Sequence, residues 1–389
     1  MLKIGIVGIG FMGKTHALSF TETPSIPNAR VKNGKLVAIC DIDIEKQKWA
    51  KENLKNVEVF SDFMKMISSK KIDAVIIATP HYLHPLMAME AIKHKIHVLV
   101  EKPVGVYTKN IKELNKLSEE NKDTIFGLIF NQRTNPFFKK AKEIIEADGI
   151  GELKRMNWLI TNWYRPQKYY DNGSWRATWA GEGGGVLINQ APHQIDLWQW
   201  LCGMPTKVKA YCKFGRNRDV EVETDVTTYV EYPNGATGVF VTSTHDAPGT
   251  NRLELIGNKG KIIIENDQLN YKKLTMPEDE FNKIAGGNIS DPKNVPQFEE
   301  KIYTKEELGE VPWGVEHALV IENWIDTIEG KAELIAPGVE GIKALELINS
   351  MLMSTFINEE ITLPIDSEKY YEELMKKCET SSFKGKWRV

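Results

Sequence analysis

Gly8-Ile9-Gly10-Phe11-Met12-Gly13 follows directly on the apolar run of Ile4, Ile6 and Val7 at the head of the chain. Glycines in this G-x-G-x-x-G spacing occur by chance, but here a strand-like run feeds them and a helix-like segment, 12–20, leaves them. That context marks a dinucleotide pyrophosphate site. The first glycine turns the chain, the second lets the backbone approach the phosphates, and the third lets helix pack on strand. The helix start then offers free N–H groups to the anion. Gly8, Gly10, Phe11, Met12 and Gly13 are therefore assigned to cofactor binding.

Outward from this motif, 2–7, 35–40, 72–78, 96–100 and 124–130 are short, apolar and rich in β-branched residues, as strands buried on both faces are. Val57–Phe60 adds a short candidate. Helical spacing runs through 12–20, 43–54, 62–69, 84–94 and 109–121 between them. This alternation predicts a doubly wound parallel sheet, an α/β Rossmann domain over 1–130.

Ligands of such sheets sit beyond the carboxyl ends of the strands, which promotes the residues found there. Asp41 ends the second strand, where a carboxylate accepts both ribose hydroxyls and repels a 2′-phosphate, so NAD is expected over NADP. It stands 28 residues beyond Gly13, against about 20 in the usual fingerprint. The segment Thr21–Gly34, with Pro24, Pro27 and Asn33-Gly34, reads as an inserted loop that accounts for the excess. Asp43 is a rival for the same role, or else a helix N-cap. Thr79 and Pro80 follow the fourth strand with His81 and His84 just after; for His84, a cofactor contact and a cap of the next helix are both open. Glu101-Lys102-Pro103 ends the fifth strand and places Lys102 near the nicotinamide end. Burial beside a cationic ring depresses a lysine pKa and makes it usable as acid, base or hydroxyl clamp. Asn131 and Arg133 mark another strand end.

At 389 residues the chain exceeds one ordinary core, so two domains are expected. Hydrophobic and charged fractions of 42% and 26% describe a globular protein. A net charge of −3 gives no global pull toward nucleic acid or anionic membrane. No apolar run approaches the roughly 18 residues of a membrane span. The first strand begins at once, leaving no room for a signal peptide, and a cytoplasmic location is expected. Cys40, Cys202, Cys212 and Cys378 are scattered, so neither a disulfide framework nor a metal site is expected.

From residue 131 the rhythm changes. A helix over 139–147 ends at Gly149-Ile150-Gly151, and strand candidates follow at 152–162, 206–214, 224–232, 236–244, 252–257 and 260–264. Tyr232-Pro233-Asn234-Gly235 is a hairpin turn. Strand follows strand, so the sheet should be mainly antiparallel. With helices at 315–329 and 339–357, residues 131–389 read as an α+β substrate domain whose last helices pack back on the first. Within it, Gly183-Gly184-Gly185 leads into a segment read as one helix. Asn189, His193 and Asp196 recur there at i, i+4 and i+7, a polar stripe on one face. Tyr164, Arg165, Trp175 and Arg176 lie in aromatic- and arginine-rich stretches that read as a substrate wall or lid, through ring stacking and forked donors.

The glycine motif, Glu101-Lys102-Pro103 and the Gly-Gly-Gly…His193-Gln194-Ile195-Asp196 segment together resemble the Gfo/Idh/MocA oxidoreductases, the glucose–fructose oxidoreductase and inositol dehydrogenase-like enzymes. The resemblance covers nearly the whole chain, from residue 2 to the helix near 340–357. It implies a Rossmann domain beside a large open sheet often used for oligomer contacts, hence a homodimer or homotetramer. It also implies hydride transfer between NAD(P) and a carbohydrate or cyclitol. The family lysine and histidine carry over to Lys102 and His193. Its carboxylate four residues before the histidine falls on Asn189, a departure, since an amide orients a hydroxyl but takes no proton. Asp196 belongs to the shared pattern and either orients the histidine or binds a hydroxyl. The expected reaction is oxidation of a secondary hydroxyl, His193 as base and Lys102 as clamp. Two alternatives stand beside it: redox-neutral epimerisation or glycoside cleavage with retained NAD, and a non-catalytic dinucleotide sensor, which would be expected to lack both side chains.

Overall fold

The structure, a computed structural model, describes every residue except Thr23, Ser25, Ser174, Lys386, Arg388 and Val389. Its first sheet contains β1 (Leu2–Val7), β2 (Gly34–Cys40), β3 (Glu58–Phe60), β4 (Ala74–Ile77), β5 (His97–Val100) and β6 (Phe126–Leu128). They lie in the order β3-β2-β1-β4-β5-β6, and every pair is parallel. The chain order reverses between β1 and β4, the switch point where such sheets bind ligands. Alternate residues of one strand enter two different cores: Ile4, Ile6, Ala74 and Ile76 one, Val7, Val75 and Ile77 the other. Burial on both faces explains the unbroken apolar runs.

The second sheet adds β7 (Leu153–Ile160), β8 (Lys207–Phe214), β9 (Glu223–Glu231), β10 (Thr237–Ser243), β11 (Asn251–Gly257), β12 (Gly260–Glu265), β13 (Gln268–Leu274), β14 (Phe298–Thr304) and β15 (Ile361–Thr362). Its order is β14-β13-β12-β11-β7-β10-β9-β8-β15; β7 and β10 pair in parallel and the others antiparallel. The hairpin at Tyr232–Gly235 joins β9 to β10, with Gly235 at φ +83°. One face is covered by helices, Trp198 of the helix Pro192–Cys202 stacking on Phe240 at 5.5 Å. The other face exposes Leu159, Tyr211 and Tyr229.

Sequence patterning misses β13, β14 and β15 and the helices Gln167–Asp171 and Ser367–Thr380. β14 is exposed along most of its length, so it carries no apolar alternation to read. The inserted loop has a packing reason. Ala29 and Val31 join the core cluster of Ile4 and Ile6 together with Ile321 and Trp324 of the helix Val315–Ile328. Asn33 Nδ2 donates to the Glu322 carbonyl at 2.9 Å and to Asp326 at 2.8 Å. The loop docks the returning helix on the first sheet.

The segment after Gly185 departs from the single helix expected. It forms Val186–Asn189 and then Pro192–Cys202. Proline has no N–H and its ring clashes with the carbonyl four residues back, so a new helix begins there instead. Asn189 therefore does not share a helix face with His193 and Asp196.

Candidate active site

The glycine loop is shaped by what surrounds it. Gly8 sits at φ +87°, and a Cβ there would lie 2.5 Å from the Ala78 carbonyl oxygen. A Cβ on Gly13 would lie 1.8 Å from the Gly8 carbonyl oxygen, whereas Gly10 has nothing within 4 Å. Gly10 opens the helix Phe11–Ser19, whose first turn has neither a side-chain cap nor an acidic residue. Free N–H groups beside open space fit a pyrophosphate. Phe11 is exposed and stacks on Trp313, ring centroids 5.7 Å apart.

Asp41 braces this loop from the end of β2. Its Oδ2 accepts from Ile9 N at 2.6 Å, its Oδ1 from Asp43 N at 2.9 Å, and Lys46 Nζ lies 3.7 Å away. Asp43 caps the helix Ile44–Asn53, accepting from Glu45 N at 2.9 Å. Thr79 and Pro80 line the turn after β4, partly exposed. His84 is held by main-chain carbonyls of two turns. It is buried inside the helix Leu83–Lys93, with Nε2 2.7 Å from the Thr79 carbonyl and Nδ1 2.6 Å from the Pro103 carbonyl. It ties the turn after β4 to the turn after β5.

Glu101 is buried at the end of β5, where His16 Nε2 lies 2.6 Å from its Oε1. Burial alone raises a carboxylate pKa, but the hydrogen bond and charge of His16 outweigh it and hold Glu101 at about 2. His317 stands beside this pair, its ring 5.8 Å from that of His16, and burial pushes its pKa down to about 4. The next residue, Lys102, reaches across to the helix Val186–Asn189, its Nζ donating to the Asn189 carbonyl at 2.7 Å. Burial lowers its pKa, Glu101 and Glu182 pull it back up, and Arg176 and Arg165 lower it again.

His193 follows Asn189 by four residues. Its Nδ1 is buried and has no hydrogen-bond partner among the described residues. Burial, then the charge of Lys102, pushes its pKa well below the ordinary histidine value, so the ring is neutral at physiological pH. Its ring lies edge-on to Phe130 at 6.4 Å. Asn189 Nδ2 donates to Glu182 Oε1. Asn189 Oδ1 accepts from Gln190 Nε2 at 3.1 Å. Glu182 also accepts from Ala177 N at 2.7 Å, and Arg176 NH1 lies 3.7 Å from it. Arg176 stacks over Trp175 and Tyr169, and Arg165 over Tyr169. Trp175 meets His81 edge-on at 6.0 Å. Tyr164, half exposed, carries Arg218 over its ring.

Asp196 is held by a side chain from the turn after β6. Arg133 donates Nε to its Oδ2 at 2.8 Å and Nη2 to its Oδ1 at 2.7 Å, and Gln199 takes Oδ1 at 3.0 Å. Both members of this pair are buried, and Arg133 also reaches Glu340 at 2.7 Å. The forked guanidinium fills the carboxylate's acceptor sites, so neither Asp196 nor Arg133 presents a free polar edge to a ligand. Asn131 donates to Glu316 Oε2 at 2.8 Å, leaving its buried Oδ1 unpartnered.

The comparisons with known proteins meet this geometry. Residues 2–127 match the sequence model described as "Oxidoreductase family, NAD-binding Rossmann fold". Residues 138–263 match the one described as "GFO/IDH/MocA C-terminal domain". The chain belongs to the Gfo/Idh/MocA oxidoreductase family.

Among its relatives, the levoglucosan dehydrogenase of Pseudarthrobacter phenanthrenivorans is 26% identical over 72% of this chain and 78% of its own. The myo-inositol 2-dehydrogenase of Thermotoga maritima is 26% identical over 68% of this chain and 75% of its own. The WlbA dehydrogenase of Bordetella pertussis, solved with NADH and UDP-GlcNAcA, superposes with a TM-score of 0.74 at 25% identity, covering 94% of this chain and 99% of that one. This Gfo/Idh/MocA protein is thus an oxidoreductase with an NAD-binding Rossmann domain. Among its described residues no helix is long and apolar enough to cross a membrane.

Sequence reading misses Glu182, His16, Glu316 and His317 in this family member. Glu182 carries one signal, a carboxylate immediately before a run of three glycines. His16 lies two turns into the first helix, and its partner Glu101 is 85 residues away, beyond any local pattern. Glu316 and His317 come from the helix that returns after the second sheet.

Proposed function

We propose that this protein oxidises a secondary hydroxyl of a sugar, sugar derivative or cyclitol, with His193 taking the hydroxyl proton and Lys102 hydrogen-bonded to the same oxygen. The observation that carries the reading is the buried, unpartnered Nδ1 of a neutral His193 beside a lysine delivered by the other lobe. Gly8, Gly10, Phe11, Met12 and Gly13 would hold the dinucleotide, with Asp41 at the ribose and Thr79, Pro80, Glu101 and Asn131 along its nicotinamide half. The Asp41 carboxylate favours NAD over NADP. When bound, the nicotinamide supplies the two-electron acceptor for the hydride.

His193 removes the hydroxyl proton as the carbon–hydrogen bond breaks. Lys102 Nζ, already fixed by one carbonyl, offers its remaining donors to the oxygen as negative charge develops there. Arg176, Trp175, Arg165 and Tyr164 form the wall that stacks on and hydrogen-bonds a sugar. The names of the two relatives, one acting on levoglucosan and one on myo-inositol, support a ring polyol as substrate. The same reading divides the chain into a cofactor unit, 1–130, and a substrate unit, 131–389. It expects a cytoplasmic homodimer or homotetramer joined through the open face of Leu159, Tyr211 and Tyr229.

The test is NAD-linked oxidation across a panel of inositols, aldoses, anhydrosugars and sugar acids, followed by His193→Ala on the best substrate. Turnover should fall about 10²–10⁴-fold, the range for a positioned acid–base group. A variant that keeps wild-type turnover removes His193 from the chemistry. Free NADH accumulating in step with substrate consumed separates net oxidation from a redox-neutral cycle.

A further inference from the structure

Glu182 is a buried carboxylate, 3% exposed, that the reaction above leaves without a task. We propose that it is a positioning residue for that oxidation, holding Asn189 in place and balancing the charge of Lys102. The inference rests on the function proposed above.

Three observations converge on it. Its Oε1 accepts from the side chain of Asn189, the residue whose own carbonyl holds Lys102 Nζ at 2.7 Å. Its Oε2 accepts from Ala177 N at 2.7 Å, and its main-chain carbonyl lies 3.2 Å from His81 Nδ1. The charges around Lys102 are otherwise unbalanced. Arg176 and Arg165 repel it, and His81 and His193 are both held well below their ordinary pKa and neutral. Glu101 attracts it, but already shares its charge with His16. Burial raises the pKa of Glu182 itself, and the Ala177 N–H, Arg176, Asn189 and Lys102 draw it back down; in its ionised form it is the carboxylate besides Glu101 that acts on Lys102. Merely folding the Ala177–Glu182 loop would require only an acceptor for Ala177 N, which glutamine also supplies.

The experiment uses Glu182→Gln, Glu182→Asp, and Glu182→Gln combined with Asn189→Asp, each checked for wild-type melting. The first readout needs no substrate. Reductive methylation of Lys102 is followed against pH by peptide mass spectrometry, its rate tracking the deprotonated amine. Removing the charge should lower the Lys102 midpoint by about one unit, the low end for loss of a nearby opposite charge. Glu182→Asp should hold it. The double variant, which restores one carboxylate at the neighbouring position, should bring it back. The second readout is the alkaline limb of kcat/KM, which should move down with the midpoint and return in the double variant. An unshifted Lys102 midpoint in Glu182→Gln, or a double variant no better than the single, overturns the proposal. A wild-type protein that oxidises no polyol, while the Lys102 midpoint still shifts, counts against the oxidation reading and not against the charge coupling.

Discussion

Gly10 and Gly13 occupy the same loop, yet a methyl group should harm them in opposite ways. At Gly13 the new Cβ would sit 1.8 Å from the Gly8 carbonyl oxygen and 2.9 Å from its carbon. Both are backbone atoms that cannot rotate aside, so strand and helix must part. Overpacking of this kind costs about 1–3 kcal/mol, or roughly 2–4 °C of melting temperature per kcal/mol in a domain of this size. At Gly10 the backbone has φ −75° and open space around the added methyl. The gain from a stiffer unfolded chain, about 0.4–1 kcal/mol, nearly offsets the weaker N-cap. Gly10→Ala should therefore melt within about 2 °C of wild type and Gly13→Ala several degrees lower.

Adding NAD should divide the two variants the other way, by the size of the shift each one shows. At a concentration of 100 times its Kd, a ligand stabilises the native state by about 2.7 kcal/mol. If the methyl at Gly10 displaces the pyrophosphate and weakens binding tenfold, about 1.4 kcal/mol of that remains; at a hundredfold, about 0.4. Thermal melts of the three proteins with and without NAD check both halves. The reasoning fails if Gly10→Ala keeps the full NAD shift, or if it melts as low as Gly13→Ala without ligand.

Four further outcomes follow from the same geometry. Asp41→Ser removes the charge that repels a 2′-phosphate, so the NADP-to-NAD ratio of kcat/KM should rise at least tenfold, about 1.4 kcal/mol; an unchanged ratio would place selectivity elsewhere, with Lys46 the next group to vary. Arg133→Met should destabilise by about 3–5 kcal/mol in urea, because it leaves Asp196 buried and unpaired. Asp196→Asn keeps an acceptor and should retain oxidation within about tenfold, whereas a loss matching His193→Ala would return Asp196 to the chemistry. Glu316 is raised to about 7, chiefly by burial, so the folded state binds its proton more readily than the unfolded chain does. Its contribution is present below the unfolded carboxylate pKa and is lost as pH rises toward 7. Glu316→Gln should therefore match wild type near pH 4 and exceed it at pH 8, by up to about 3 kcal/mol. Equal melting at both values would refute the shift.

What the sequence makes legible here is whatever has a local period or a strand end. β1, β2, β4, β5 and β6 announce themselves because burial leaves runs such as Ala74–Ile77 wholly apolar. β14 does not, because a strand exposed along most of its length has no face to pattern. The glycine motif and Glu101-Lys102 are found because the parallel sheet fixes where its strand ends point. The partner of Asp196 is hidden for the opposite reason. Its spacing from His193 is helical and real, but its partner Arg133 lies 63 residues away, and a long-range ion pair leaves no trace in local spacing. His84 is similar: two carbonyls on separate turns claim both nitrogens, a use that only the folded chain defines.

The break at Pro192 shows how such a local rule and a long-range contact combine. In a continuous helix the Asn189 carbonyl would be spent on the N–H of residue 193. Because a new helix starts at Pro192, the His193 N–H becomes a first-turn group and the Asn189 carbonyl is released. Lys102, arriving from β5, takes that carbonyl. One proline thus places the neutral histidine on a rigid helix and supplies the acceptor that holds the lysine beside it. The surrounding pairs, Arg133 with Asp196 and His84 with two carbonyls, fix the elements that carry them. The proposed reaction, in which His193 and Lys102 meet at one oxygen, needs that rigidity, since a misplacement of about 1 Å can cost 100-fold in rate. The buried ion pair is better understood as fixing the helix Pro192–Cys202 to the turn after β6 than as net stability, because burying such a pair roughly breaks even against apolar packing.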